Sequence, residues 1–292
     1  MEVYGVFEGG GVRGTALVGA VAAAEDLGFA FRAVAGTSAG AIVASLIASG
    51  CNAKEIRDAM FNKDFKDFKD PVSHLPLLRR IVAWRKLGLH KGDEFQRWIG
   101  EQISYKVSGF YNRAITFADL PVPLTVIAAD VVNQQIKVFS RTQTAGQSVA
   151  DAVRMSMSIP FFFVPVRYAH ELIVDGGVLS NFPIWAFDKE LAVNPLPVVG
   201  FRLQQPDLPA PKIDTPLAFA KSLVNTVIKA STQLQIELAE NANIIDLPTS
   251  DVRTTDFDLS DEKKSELYDG GYRTAYNYLS TTSLVTGSSL KQ

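Results

Sequence analysis

A chain of 292 residues with 47% hydrophobic content has ample material for a buried core and suits one large α/β domain or two small ones. Lysine and arginine number 29 against 31 acidic residues, so the net charge of −2 gives no general attraction to nucleic acid or anionic lipid; any such affinity has to be local. The single cysteine, Cys51, excludes an internal disulfide, and the histidines at 74, 90 and 170 have no metal-ligand spacing with it.

Met1-Glu2-Val3-Tyr4 has no basic n-region, position 2 is not the glycine that myristoylation needs, and Ser289-Leu290-Lys291-Gln292 has no prenylation cysteine. The most apolar stretch, residues 41–48, is much too short to span a bilayer. The expectation is a cytoplasmic protein in a reducing compartment, peripheral to membranes at most, with export lacking a recognisable signal left open.

In chain order, residues 3–7 read as a buried strand, 15–27 as an alanine-rich helix stopped by Gly28, 32–35 as a second strand, and 39–49 as a second helix stopped by Gly50. This opens a wound β-α-β-α sheet. Residues 53–120 mix aromatic and charged residues without a strong strand signal and read as a helical insertion. His74 and His90 fall within it and are expected at the surface. Residues 124–132 and 136–140 are strand-like and joined by Asn133-Gln134-Gln135, which suggests a hairpin. Residues 148–157 form a helix that ends before Ile159-Pro160. Strands are expected at 161–168, 172–174 and 198–203. A loop with prolines at 206, 209, 211 and 216 precedes a long helix from 217 to about 240, a short strand at 244–245 and a final helix from 261 to about 279. One catalytic domain over 1–283 and a loose tail over 284–292 are the expected organisation.

Two glycine-rich turns carry the chemistry. Gly36-Thr37-Ser38-Ala39-Gly40 sets a serine between a strand and a helix, where Gly36 and Gly40 permit a sharp turn and the helix N-terminus favours an alkoxide. The plainer alternative is an ordinary βα turn with a capping serine. Gly9-Gly10-Gly11-Val12-Arg13-Gly14 also fits G-x-G-x-x-G after a strand, which admits dinucleotide binding. That reading wants an acid about 20 residues further on, yet residues 27–54 contain no Asp or Glu. The loop is better read as backbone N–H groups poised for an oxyanion.

In a Ser-Asp-His chain order the histidine comes last, yet no histidine follows His170, which sits in a turn between strands where an exposed polar residue is the usual case, so the histidines are poor candidates for the base. Asp175, in Val174-Asp175-Gly176-Gly177, ends an apolar strand at the sheet edge where open α/β folds place functional groups; alone it would read as a turn cap.

Taken together and in this order, Gly9-Gly10-Gly11-x-Arg13-Gly14, Gly36-x-Ser38-x-Gly40 and Asp175-Gly176-Gly177 resemble the patatin-like phospholipase family. The stretch from Arg154-Met155-Ser156 to Val164-Pro165 and the run Asn181-Phe182-Pro183 resemble it too, so the likeness spans about residues 3–200. It implies a three-layer α/β/α domain with a mostly parallel sheet and a helical insertion. It also implies a dyad in which Ser38 is the nucleophile and Asp175 the general base, and an oxyanion hole around Gly9, Gly10, Gly11 and Arg13. Arg13 would either support the oxyanion or hold the loop. The substrate implied is a phospholipid or other fatty-acyl ester, with no metal, cofactor or nucleic acid. Two other classes stay in view: a catalytically silent lipid- or protein-binding module, and a dinucleotide-binding enzyme.

For contact with lipid, residues 74–91 offer Arg79, Arg80, Arg85, Lys86 and Lys91 beside Leu77, Leu78, Ile81, Trp84 and Leu87, without an acidic residue. Their faces are mixed, and an ordinary packed helix is the plainer reading. Phe161-Phe162-Phe163 suits a core more than an acyl pocket.

Overall fold

The structure is a computed structural model describing residues 1–284 except 74, 112, 206–208, 210–211 and 240–241, with the backbone but not the side chains of 76–80. The expectation for His74 and most of the tail therefore lie outside the described residues.

β1 (Glu2–Phe7) leads through the glycine loop and a 3-10 turn, Gly11–Gly14, into α1 (Thr15–Asp26), then β2 (Ala30–Thr37) and α2 (Ala39–Ala48). The inserted region holds α3 (Ala53–Phe61), α4 (Pro76–Lys86), the short β3 (Gly88–His90) and α5 (Asp93–Ser108). Local signals start these helices. Asn52 and Glu55 form a reciprocal capping box at α3, with side chain to backbone distances of 2.8 and 2.9 Å. The Asp70 carboxylate accepts the Gly92 and Asp93 amides at 2.7 and 2.8 Å, fixing the start of α5.

β4 (Leu124–Asp130) and β5 (Gln135–Ser140) form the expected hairpin, followed by α6 (Arg141–Thr144) and α7 (Val149–Ser156). Then come β6 (Phe161–Phe163), β7 (Val166–Tyr168), β8 (Glu171–Asp175), α8 (Gly177–Ser180) and α9 (Asp188–Val193). β9 (Val198–Leu203), α10 (Pro216–Leu238), β10 (Ala242–Leu247) and α11 (Asp261–Thr281) complete the chain.

Two expectations are corrected. The insertion is not wholly helical: β3 pairs with β6 in a separate two-stranded sheet, and His90, on β3, is buried against Phe162 with ring centroids 4.7 Å apart. The run 161–168 is two strands rather than one, broken at Val164-Pro165, where proline has no amide to continue a ladder.

The main sheet runs β10-β9-β1-β2-β4-β8-β7, with β5 on the other edge of β4. From β10 to β4 all neighbours are parallel; β5, β8 and β7 are added antiparallel. Alternation along the strands feeds two cores. Val3, Phe7, Val34, Val199 and Phe201 face α1, α2, α11 and the insertion, whereas Tyr4, Val6, Ala33, Ala35 and Val198 face Phe182, Ile184 and Phe187. This is the three-layer α/β/α arrangement.

One register positions the site. β5 pairs with β4 from Thr125 to Asp130 along one edge, so β2 and β8 must share the other. Thr37 pairs with Ile127 and Asp175 with the next residue, Ala128. β2 runs parallel to β4 and β8 antiparallel, so their carboxyl ends meet head-on.

Candidate active site

Ser38 sits where β2 turns into α2, with φ 52° and ψ −122°. A positive φ is costly for a non-glycine residue, by about 1–3 kcal/mol, and persists only where neighbours enforce it. The enforcement is visible. The Ser38 amide donates to Ser156 Oγ at 2.8 Å, and that hydroxyl donates onward to the Ile127 carbonyl at 2.5 Å. The Ala41 amide bonds the Ser38 carbonyl at 2.9 Å, opening α2. A Cβ on Gly40 would overlap the Phe7 carbonyl oxygen, so only glycine lets α2 lie against the end of β1.

The Ser38 side chain faces the Asp175 carboxylate, and Oδ1 of Asp175 accepts the Gly177 amide at 2.8 Å. Burial dominates the electrostatics: it raises Asp175 from the usual 3.8 to about 6, against the lowering effects of Ser38 and of the Gly177 hydrogen bond. Both side chains are buried.

The glycine loop lies beside them, Gly9 against the Ser38 side chain. Several of its amides are already engaged: Gly9 N with the Asn181 carbonyl at 3.0 Å, Val12 N with Thr254 at 3.2 Å, and Arg13 N with Gly10 at 3.3 Å. Among the described residues, the amides of Gly10 and Gly11 have no such acceptor. Gly11 has φ 58°, and a Cβ there would overlap the Thr254 carbonyl. Arg13 is buried, its Nε donating to the Gly10 carbonyl at 3.2 Å and a terminal nitrogen to the Gln204 carbonyl at 3.5 Å. Its guanidinium thus braces the loop from within.

Residue reasoning missed two further braces. Glu8 is buried under the loop, accepting the Leu203 amide at 2.6 Å and Asn181 Nδ2 at 3.0 Å. Burial drives its pKa to about 7, opposed chiefly by the Leu203 hydrogen bond and the charge of Arg13. Asn181 also reaches the Gly9 carbonyl at 3.3 Å. Asn181 lies in a run singled out above and Glu8 directly before the glycine loop, but only the fold brings them together.

A narrow apolar cavity of about 30 Å³ opens beside Ser38 and runs between Ile42, Met60, Phe68, Trp98 and Phe257. It joins the nucleophile to the insertion. Phe163 is fully buried and Phe162 stacks on Phe257 at 5.0 Å, so these rings form the wall behind the cavity. A larger open groove of about 490 Å³, along α5 near Gln96, Arg97 and Arg113, contains none of the motif residues. His170 is exposed in its turn, and burial lifts the Cys51 thiol to about 11, which keeps it protonated.

With this geometry in place, the patatin-like phospholipase family model matches residues 5–188. The chain belongs to that family. Membership places it among lipid hydrolases. An uncharacterized protein of Bacillus subtilis, YqhO, is 40% identical over 289 residues, covering 94% of this chain and 96% of that one. The lysophospholipase NTE1 of Cryptococcus neoformans is 28% identical over 179 residues, which are 61% of this chain but 10% of that protein. VipD from Legionella pneumophila shares the fold with a TM-score of 0.63 at 20% identity, across 96% of this chain and 67% of VipD. The type III effector protein ExoU gives 0.54 at 18% identity, across 96% of this chain and 53% of ExoU. Among the described residues, no helix is long and apolar enough to cross a membrane.

Proposed function

We propose that this chain hydrolyses fatty-acyl esters of phospholipids or lysophospholipids through a Ser38–Asp175 dyad. The observation that carries the reading is the juxtaposition of Ser38, on its strained turn, with the buried Asp175 carboxylate at the facing ends of β2 and β8. Ser38 Oγ attacks the ester carbonyl as its proton passes to Asp175. The amides of Gly10 and Gly11, the loop donors without a backbone acceptor, receive the developing oxyanion, and Arg13 holds the loop rather than the substrate. Asp175 returns the proton to the departing alcohol, then takes one from the water that releases the fatty acid from the acyl-enzyme. The acyl chain extends into the cavity toward Met60 and Trp98, which has to widen to admit it.

Residues 1–283 act as one catalytic unit in this proposal, because β9 and β10 lie beyond the matched stretch yet continue the same sheet from β1. A silent binding module would have no use for the strain at Ser38 or for a base held at about pKa 6.

The test is direct. A fluorophosphonate should label Ser38 in the wild type, and Ser38→Ala or Asp175→Asn should each lower ester hydrolysis by at least about 10³-fold with circular dichroism unchanged. Full activity in either variant would sink the dyad.

A further inference from the structure

Ser156, the last residue of α7, is completely enclosed, and its hydroxyl serves as acceptor and donor at once. It accepts the Ser38 amide at 2.8 Å and donates to the Ile127 carbonyl at 2.5 Å. The ladder between β2 and β4 shows what that place is. The Val34 amide donates to the Pro123 carbonyl at 3.0 Å, and from there the strands keep parallel register as far as Thr37 and Ile127. A parallel ladder repeats every second residue on each strand, so its next rung at this end would join the Ser38 amide directly to the Ile127 carbonyl. Those are the two groups that the hydroxyl bridges.

We infer that Ser156 is a positioning residue, whose hydroxyl is inserted into the last rung of the ladder between β2 and β4 and so turns the Ser38 nucleophile out of the strand. A direct rung would keep Ser38 extended, and nothing would then hold the positive φ with which the turn begins. Only a group that accepts and donates through one atom can fill the gap, which a hydroxyl does and a methyl does not.

The same stretch holds the base. The Asp175 amide bonds the Ser158 carbonyl at 2.9 Å and the Gly176 amide the Ser156 carbonyl at 3.4 Å. A Cβ on Gly176 would overlap the Ile127 carbonyl oxygen, the atom to which Ser156 donates. Nucleophile and base are thus both referred to the end of α7. Met157 and Ile159, alternating with these serines, line the cavity beside Ser38. The inference rests on the reading of Ser38 as nucleophile and Asp175 as base.

The experiment is kinetic. Ser156→Ala in the full chain should lower kcat for p-nitrophenyl butyrate at least about tenfold with KM within about twofold, because the turn shifts while the cavity keeps its lining. Fluorophosphonate labelling of Ser38 should slow by a similar factor. Ser156→Cys, close in volume but a weak donor and acceptor, should fall between wild type and alanine. Ser104 supplies the matched comparison: buried on α5, it accepts the Arg113 amide at 3.0 Å and donates to the Phe110 carbonyl at 2.5 Å. Ser104→Ala removes the same kind of bridge and should leave kcat within about threefold. A crystal structure of Ser156→Ala should show the Ser38 amide closed onto the Ile127 carbonyl, with a negative φ at Ser38. Wild-type kcat in Ser156→Ala, a raised KM with kcat unchanged, or an unchanged φ overturns the inference and leaves the dyad standing. An equal loss in Ser104→Ala overturns it too, as general destabilisation. A wild type that neither takes the fluorophosphonate at Ser38 nor hydrolyses ester defeats the dyad reading itself, and the inference with it.

Discussion

At the scale of single residues, Asp175 has two opposed consequences. A carboxylate lifted to about 6 is a stronger base than a free one, and it is ionised for catalysis only above that pH. The expected kcat profile therefore rises through about pH 6 to a plateau, without the descending imidazole-like limb that a histidine acid would add. Folding responds in the other direction. The native state binds this proton more tightly than the unfolded chain, so the group weakens folding above pH 6 and has no effect below about 3.8. That displacement corresponds to up to about 3 kcal/mol. Asp175→Asn should therefore melt higher than wild type at pH 8, with the gain fading toward pH 4; equal melting curves at both would remove burial as the cause. Ser38, Asp175 and the glycines were legible in the sequence because the chemistry prescribes their types at fixed spacing. Glu8 and Asn181 were not, since an acid becomes a brace only through a partner 173 positions away.

At the scale of elements, reading from sequence worked where the signal was local. Glycine stops marked the ends of α1 and α2 closely, and apolar β-rich runs marked β1 and β4. It failed for β3, three residues long and formed only because β6 comes alongside. The buried Arg154 fastens that junction from α7: it donates to Ser158 Oγ at 2.6 Å, to the Val164 carbonyl at 3.0 Å and to the Lys91 carbonyl. Burial lowers its pKa to about 10, opposed by Asp70 and Asp93, so the charge persists at neutral pH. Arg154→Ala strands three acceptors, one buried and two part-buried, and should cost about 3 kcal/mol in denaturant unfolding. A loss below about 1 kcal/mol would mean that water replaces the guanidinium.

For the whole molecule, the insertion and the sheet share a boundary, and the cavity beside Ser38 follows it. Ile42, one turn along α2 from the serine, stands at its mouth. Ile42→Phe should shift preference toward shorter acyl chains, reading as at least about a tenfold fall in the ratio of kcat/KM for p-nitrophenyl decanoate over butyrate. An unchanged ratio would place the acyl chain elsewhere. That Phe219, Leu223, Val227, Leu234 and Leu238 of α10 are exposed is not legible in the sequence, because amphipathic spacing shows that a helix has an apolar side, not whether anything covers it.

The head-on meeting of β2 and β8 along β4 makes the main-chain ladder the ruler of the active site. Nucleophile and base are spaced by adjacent rungs, Ile127 and Ala128, rather than by the conformation of a flexible loop. One extra residue at that point of β4 would part them by a strand step of about 3.3 Å, beyond the reach of a hydrogen bond. Loops and helices around the sheet are free to lengthen or diverge between relatives, whereas this single junction of two strand ends is not.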